Sequence, residues 1–209
     1  MQLKNTNARS LLVATGNAGK IRELGSMLSE VPVALRGLNE FPGITEVEET
    51  GMTFDENARL KAAGYAFQAG IPAIADDSGL EVTALGGSPG IYSARYLSTD
   101  ASFDERMYSL LNELEGTGST DRSARFVCCV AVADGTGRII RETIGVVNGS
   151  IAAEPRGSGG FGYDPIFIPA GFEATFGELD SAVKASISHR ARALKEIIPF
   201  LHDFYRALT

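Results

Sequence analysis

The segment Gly16-Asn-Ala-Gly-Lys20 has the residue types of a phosphate-binding turn. It follows the segment Ser10-Leu-Leu-Val-Ala-Thr15, which predicts a short buried strand, and Ile21, Leu24 and Leu28 come after it at helical spacing. Backbone N–H groups at a helix N-terminus attract anions, and a lysine beside them adds positive charge. An ordinary strand-to-helix turn would use the same glycines, so the spacing by itself leaves both interpretations open.

Two pairs of adjacent carboxylates could bind a divalent cation. Asp76-Asp77 follows the apolar run 71–75, which predicts a short buried strand, and ligands of open α/β sheets bind where strands end. Glu48-Glu49 lies in an earlier loop that contains proline and glycine. Mg²⁺ takes few carboxylates and fills its other positions with water and phosphate oxygens. Each pair alone could be a solvated turn or charge run, but together with the Gly-Lys turn they favour a metal–phosphate site.

A group of cations lies near the predicted start of the last helix. Lys184 precedes this helix, and Ser188-His-Arg190 opens it. Because the helix dipole already places positive charge at an N-terminus, a bound anion would explain why cations gather there. The alternative is a solvated helix surface, where arginine and histidine are common.

The segment Gly157-Ser-Gly-Gly-Phe-Gly162 matches the dinucleotide-binding spacing G-x-G-x-x-G. That motif must lead from a strand into a helix, whereas Tyr163-Asp-Pro165 and the apolar stretch after it predict a strand, which disfavours a nicotinamide site. Phe161 and Tyr163 instead suggest a slot for a nucleobase, because aromatic rings stack on bases and glycines allow close approach. The alternative is core packing beneath a tight turn. Since no Ser-His-Asp or Cys-His pattern is present, an activated water is favoured over a covalent nucleophile.

The helices and strands that must position these segments can be predicted from hydrophobic periodicity and turn residues. Helical periodicity is strongest over 54–69, 103–114 and 187–208. Asp134-Gly-Thr-Gly137 between two apolar runs is a strong hairpin signal. A hairpin among alternating strands and helices predicts a mixed sheet in a single α/β domain over residues 1–209.

The composition limits the partners and the compartment. A net charge of -7 disfavours binding to nucleic acid or to an anionic membrane, both of which depend on dispersed lysine and arginine. The longest clear apolar run, 126–133, is too short to span a membrane. Cys128 and Cys129 are adjacent, which disfavours a disulfide or a zinc site, and we expect both in the core of a cytoplasmic protein.

In combination these segments resemble the inosine/xanthosine triphosphate pyrophosphatase family, and the resemblance covers nearly the whole chain. Several long motifs in one chain make it far more specific than any single motif. The motifs that carry it are Thr15-Gly-Asn-Ala-Gly-Lys20-Ile-Arg-Glu, Glu48-Glu49-Thr-Gly-Met-Thr-Phe, Asn57-Ala-Arg-Leu-Lys61-Ala, Pro72-Ala-Ile-Ala-Asp76-Asp77-Ser78-Gly-Leu, Pro89-Gly-Ile-Tyr-Ser-Ala-Arg95-Tyr, Gly159-Gly-Phe161-Gly-Tyr-Asp164-Pro, and Lys184 with Ser188-His189-Arg190.

The resemblance implies Mg²⁺-dependent hydrolysis of ITP, dITP and XTP to the monophosphate and pyrophosphate by an activated water, which cleanses the nucleotide pool. It also implies a homodimer and an α/β fold, with an elongated mixed sheet flanked by helices and two lobes with a cleft between them. Two alternatives stay open. One is a nucleotide-binding sensor that does not hydrolyse its ligand, and the other is a pyrophosphatase for modified pyrimidine triphosphates.

The family's site residues carry over onto the matching positions of this chain. Asp77, Lys20 and Lys61 are expected to be catalytic, with Asp77 as the proton acceptor. Glu49 and Asp77 are the expected metal ligands, and their neighbours Glu48 and Asp76 could take their places. The residues expected to hold the triphosphate are Thr15, Gly16, Asn17, Ala18, Gly19 and Lys20. Those expected to bind the rest of the nucleotide are Ser78, Phe161, Gly162, Tyr163, Asp164, Lys184, His189 and Arg190.

Overall fold

The computed structural model describes residues 9–207, so the predicted domain range 1–209 and the end of the predicted last helix extend beyond the described residues. The described chain divides into two compact units. The first contains residues 9–77, Cys129–Ile144 and 193–207, and the second contains Ser78–Cys128 and Gly145–Arg192.

The described strands form one six-stranded sheet in the order β2-β1-β3-β4-β5-β6. The strands are β1 (Ser10–Val13), β2 (Ala34–Gly37), β3 (Ala73–Val82), β4 (Ser123–Ala133), β5 (Ile139–Ile151) and β6 (Phe167–Pro169). β1 pairs in parallel with β2 and with β3, whereas β5 and β6 are antiparallel. The predicted mixed α/β sheet is therefore confirmed.

Five α-helices accompany the sheet in the described part of the chain. They are α1 (Ala18–Met27), α2 (Phe54–Ala69), α3 (Phe103–Gly116), α4 (Ser181–Ile187) and α5 (His189–Ala207). α2 has the predicted bounds because Thr53 caps its first turn and Gly70, with φ of 66°, ends it in the left-handed conformation. The short helix α4 and the edge strand β2 were not predicted.

The third strand is longer than the sequence pattern predicts. The pattern ends the strand at Asp76-Asp77, but β3 continues through both aspartates to Val82. The pattern ends the strand there because adjacent carboxylates are rare inside buried strands. That prediction was wrong because each aspartate has a lysine partner that offsets its charge. As successive residues of a strand, Asp76 and Asp77 point to opposite faces of the sheet.

Each unit has its own apolar core. In the first unit the buried apolar residues come from β1 and β3 and from one face each of α1, α2 and α5; the largest fully buried side chains include Leu11, Leu12, Leu24, Leu28 and Ile74. In the second unit, α3 residues pack with aromatic side chains of β4, of β6 and of a turn after β6; among them are Leu110, Leu114, Phe126, Phe167 and Phe176.

Both cysteines are buried thiols that form no disulfide, in agreement with the predicted core position. Burial raises the pKa of Cys129 to about 12, so this thiol stays protonated and is a poor nucleophile. No helix among the described residues is both long enough and apolar enough to span a bilayer.

Candidate active site

The turn before α1 is held by its own side chains. Asn17 caps the helix: its Oδ1 accepts the backbone N–H of Gly19 at 2.9 Å and that of Lys20 at 3.1 Å. Thr15 Oγ1 accepts the N–H of Asn17 at 3.2 Å. The turn is thereby fixed, and the Nζ atom of Lys20 lies 3.1 Å from Oδ2 of Asp76.

A second lysine joins two carboxylates in the same unit. Nζ of Lys61, on α2, lies 3.0 Å from Oδ1 of Asp77 and 3.0 Å from Oε1 of Glu49. The other oxygen of Asp77 accepts a hydrogen bond from Nδ2 of Asn57 at 3.3 Å. Asp77, Lys61 and Asn57 are all buried. Glu49, Asn57, Lys61 and Asp77 are called the acidic cluster below.

Burial and charge shift the protonation equilibria of this cluster. Burial raises the pKa of Asp77, although the charges of Lys61 and Lys20 oppose that shift. Burial would lower the pKa of Lys61, but neighbouring carboxylates, those of Asp77 and Asp76 first among them, outweigh it and raise this pKa. Lys61 therefore stays cationic, and Asp77 is a stronger base than an exposed aspartate.

The structure distinguishes the members of the two carboxylate pairs. Glu49 is half-buried and faces Lys61, whereas Glu48 is exposed. Asp76 pairs with Lys20, whereas Asp77 pairs with Lys61. Glu49 and Asp77 are therefore the two carboxylates that converge on one cation.

These two carboxylates have the chemistry to hold a metal ion. Their oxygens lie at the same short distance from Lys61 Nζ, so they are separated by at most twice that distance. Within residues 9–207, no three His, Cys, Asp or Glu side chains are grouped to enclose a metal. A pair of carboxylates that leaves positions for water and phosphate oxygens fits Mg²⁺ better than it fits a metal with a complete protein ligand set.

A second polar cluster lies in the other unit, around the ring of Phe161. Oδ2 of Asp164 accepts the N–H of Phe161 and a bond from Nζ of Lys184, each at 2.6 Å. The ammonium of Lys184 also lies 4.8 Å from the centre of the Phe161 ring. Asp164 thus fixes both the loop and the cation beside it. We call Ser78, Phe161, Asp164, Lys184, His189 and Arg190 the aromatic cluster.

The start of α5 contributes the remaining members of this cluster. Arg190 is almost fully buried, and its Nη2 donates to Oγ of Ser78 at 3.0 Å. Its guanidinium lies 5.7 Å from the centre of the Phe161 ring. His189 is stacked on Phe126 with ring centres 4.7 Å apart. As predicted, His189 and Arg190 open a helix, but Lys184 lies in the last turn of α4, where the dipole favours a cation.

Tyr163 has a different position from Phe161. It is buried, its hydroxyl donates to the carbonyl of Ser93 at 3.1 Å, and its ring meets Phe103 edge to face. Only Phe161 of the two predicted base-slot aromatics is half-buried. Gly162 between them has φ of 66° and lies against Phe103, which lets the chain turn Phe161 and Tyr163 in different directions.

Asn57 is not among the site residues that the sequence predicts, but in the structure its amide donates to Asp77. One signal was present: a polar residue among Phe54, Ala58 and Ala62 on the apolar face of a helix, four residues before Lys61. Asparagine at such a position needs a hydrogen-bond partner, because an unsatisfied buried amide is costly.

The chain matches a known protein family over most of its length. Residues 11–200 match the model of the Ham1 family. The chain belongs to the Ham1 family. This membership confirms the family that the motifs predict.

Relatives of this Ham1 chain are similar over nearly their full lengths. A dITP/XTP pyrophosphatase from Desulforamulus reducens is 46% identical over 93% of this chain and 96% of its own. One from Geobacter sulfurreducens is 48% identical over 88% and 92%. Among solved structures, a HAM1 protein from Coxiella burnetii has a TM-score of 0.85 at 40% identity and covers 93% of this chain and 99% of its own.

Proposed function

We propose that this Ham1 protein hydrolyses the non-canonical purine nucleoside triphosphates ITP, dITP and XTP to the monophosphate and pyrophosphate, with Mg²⁺. It is then a hydrolase acting on an acid anhydride, as the names of its relatives indicate for those proteins. The observation that carries the proposal is the convergence of Glu49 and Asp77 on Lys61, beside the capped turn that presents Lys20. This group combines cations for a triphosphate with carboxylates for a metal.

The acidic cluster has the charges that hydrolysis of a triphosphate requires. Lys20 and Lys61 offset the negative charge of the phosphates, which otherwise repels an approaching nucleophile. Mg²⁺ held by Glu49 and Asp77 would bind phosphate oxygens and neutralise the charge that develops on them. The carboxylate of Asp77 accepts the proton of the attacking water, and burial makes it more basic for this role.

The aromatic cluster has the chemistry to bind the purine. The ring of Phe161 offers a stacking surface, and Asp164 and Lys184 hold that ring in place. His189 and Arg190 are hydrogen-bond donors for the 6-oxygen of hypoxanthine or xanthine. Adenine presents an amino group at the same position, so two donors would face each other and adenine would be disfavoured.

Other properties remain proposals that follow from the family. We propose a homodimer made of one domain per chain, with free nucleotides rather than nucleic acid as partners. The net charge of -7 supports the choice of free nucleotides, because a polymer needs dispersed cations. Two cysteines that form no disulfide fit a reducing compartment such as the cytoplasm.

A panel of triphosphates tests the function. With Mg²⁺ and ITP, XTP, GTP, ATP or modified pyrimidine triphosphates, we expect pyrophosphate release from ITP and XTP at least about 100-fold faster than from ATP, because unpaired donors penalise the wrong base. Orthophosphate as the first product would contradict pyrophosphatase activity. Tight binding without any turnover would indicate a sensor, and preferred hydrolysis of a modified pyrimidine would favour the other alternative.

A matched pair of variants tests the metal ligands. Glu49→Gln is expected to raise the Mg²⁺ concentration for half-maximal activity at least about tenfold, because it removes a ligand charge. Glu48→Gln removes the same charge at the neighbouring position, where the side chain is exposed. The Mg²⁺ dependence of this variant should stay within about twofold of the wild type. Titrations of initial rate against Mg²⁺ provide the comparison. Equal effects of the two substitutions would contradict the assignment of Glu49.

A further inference from the structure

The acidic loop, residues 45–51, precedes α2 in the sequence and runs alongside that helix in a regular register. Every second loop residue contacts one face of the helix, and the contacts run antiparallel. The pairs are Gly51 with Asn57, Glu49 with Lys61, Val47 with Tyr65 and Thr45 with Gln68. One helical turn advances about 5.4 Å and two extended residues advance about 6.6 Å, so the two repeats nearly match. This register explains why Glu49, rather than Glu48, faces Lys61.

Asn57 occupies the end of the register nearest to Asp77. Its Oδ1 accepts the N–H of Gly51 at 2.8 Å, and its Nδ2 donates to Oδ2 of Asp77 at 3.3 Å. The amide therefore connects the loop that carries Glu49 to the strand that carries Asp77. The packing is close, since a Cβ atom at Gly51 would lie 2.7 Å from Oδ1 of Asn57.

Asn57 and Lys61 act on Asp77 as a pair. They are four residues apart on α2, so they share one helix face. Each donates to a different oxygen of the same carboxylate, Lys61 to Oδ1 and Asn57 to Oδ2. Two donors on one rigid helix leave the carboxylate little freedom to rotate, while the ammonium of Lys61 alone would let it pivot.

We propose that Asn57 is a positioning residue, whose amide fixes the Asp77 carboxylate and, through Gly51, sets Glu49 at the right distance from it. This inference rests on the proposed function, in which Asp77 is the base and both carboxylates hold Mg²⁺. Asparagine is the residue that can do this, because it offers one acceptor to the loop and one donor to the carboxylate. Neither serine nor aspartate combines that reach with those two groups.

Two substitutions at position 57 and one control separate positioning from simple packing. Asn57→Asp is nearly isosteric and keeps an acceptor for Gly51, but it replaces the donor with an oxygen facing Asp77. Asn57→Ala removes both hydrogen bonds without adding charge. Gln68→Ala is the control, because Gln68 is another α2 amide that binds the same loop at Thr45 and does not touch Asp77.

Both Asn57 variants should lower kcat for ITP by about 10- to 100-fold, as expected for residues that orient metal ligands. KM should change less than about threefold, since the cations that bind the triphosphate remain. Calorimetric titration of the substrate-free protein with Mg²⁺ should show affinity weakened by about tenfold or more. Gln68→Ala should keep kcat and Mg²⁺ affinity within about twofold, because its side chain is exposed.

The outcomes distinguish this inference from the proposed function. If the wild type releases no pyrophosphate, the function itself is wrong. If the wild type is active and Asn57→Ala retains its kcat and Mg²⁺ affinity, the positioning role is wrong. Equal losses in Asn57→Ala and Gln68→Ala would assign the effect to general tethering of the loop and also overturn the proposal. Melting temperatures identify any unfolded variant, and the other Asn57 substitution then decides.

Discussion

Replacing Asp77 with asparagine is expected to lower kcat for ITP hydrolysis by about 10²- to 10⁴-fold, the range that loss of a general base produces. Asparagine cannot accept the proton of water at neutral pH, and it removes one negative charge from the proposed Mg²⁺ site. Besides Lys61, the amide of Asn57 also donates to the Asp77 carboxylate and orients it. Pyrophosphate release from ITP, measured with Mg²⁺ in excess, provides the comparison.

The Asp77→Asn protein should remain folded. Lys61 keeps Glu49 as a partner, and the asparagine oxygen can still accept from Asn57 or Lys61. An unchanged circular dichroism spectrum and retained ITP binding would therefore accompany the loss of turnover. Near wild-type turnover would remove Asp77 from the mechanism. Loss of binding together with turnover would instead indicate a structural defect, which the spectrum would reveal.

The elements with strong local signals were predictable. α2 has a capped start and a glycine end, and the hairpin of β4 and β5 has a compact turn at Asp134–Gly137, so both depend on residues close in sequence. β2 has no such signal, because Ala34–Gly37 is a half-exposed edge strand that is stabilised by pairing with β1. The formation of β2 therefore depends on pairing with β1, which lies elsewhere in the sequence.

The length of β3 shows the same dependence on distant partners. Read locally, Asp76 and Asp77 end a buried strand. In the structure they are inside it because Lys20 and Lys61, from two different helices, neutralise them. A local sequence pattern indicates that two adjacent charges are costly to bury. It does not show the lysines, distant in the sequence, that offset this cost.

The site was predictable as a set of residue types, but not as an arrangement. The residue pattern alone identified Glu48-Glu49 as a pair, and the family resemblance favoured Glu49. The physical reason for Glu49 depends on how the acidic loop lies along α2. The segment around Phe161 was identified as aromatic, whereas the burial of Tyr163 depends on Phe103 and Ser93 from another part of the chain. Asn57 had no predicted role, because its function is to connect two elements.

The second large effect is expected at Lys184. The side chains of Lys184 and Asp164 are 8% and 3% exposed, and their charged atoms are 2.6 Å apart. Lys184→Met removes the ammonium that neutralises a buried carboxylate, so the free energy of unfolding should fall by about 3–5 kcal/mol. Urea denaturation measures this loss, and the melting temperature should fall by roughly 10 °C.

The double variant Lys184→Met/Asp164→Asn tests the physical cause of that loss. Asparagine carries no charge, and its Oδ1 can still accept the N–H of Phe161, so most of the lost stability should return. Lys195→Met on the exposed part of α5 is the control for a lysine-to-methionine change, with an expected effect within about 0.5 kcal/mol. If the single and double variants are equally unstable, lost packing of the lysine stem, rather than the buried charge, is the cause. ITP binding should remain weakened even in the restabilised double variant, because the Lys184 ammonium beside the Phe161 ring is absent from both variants.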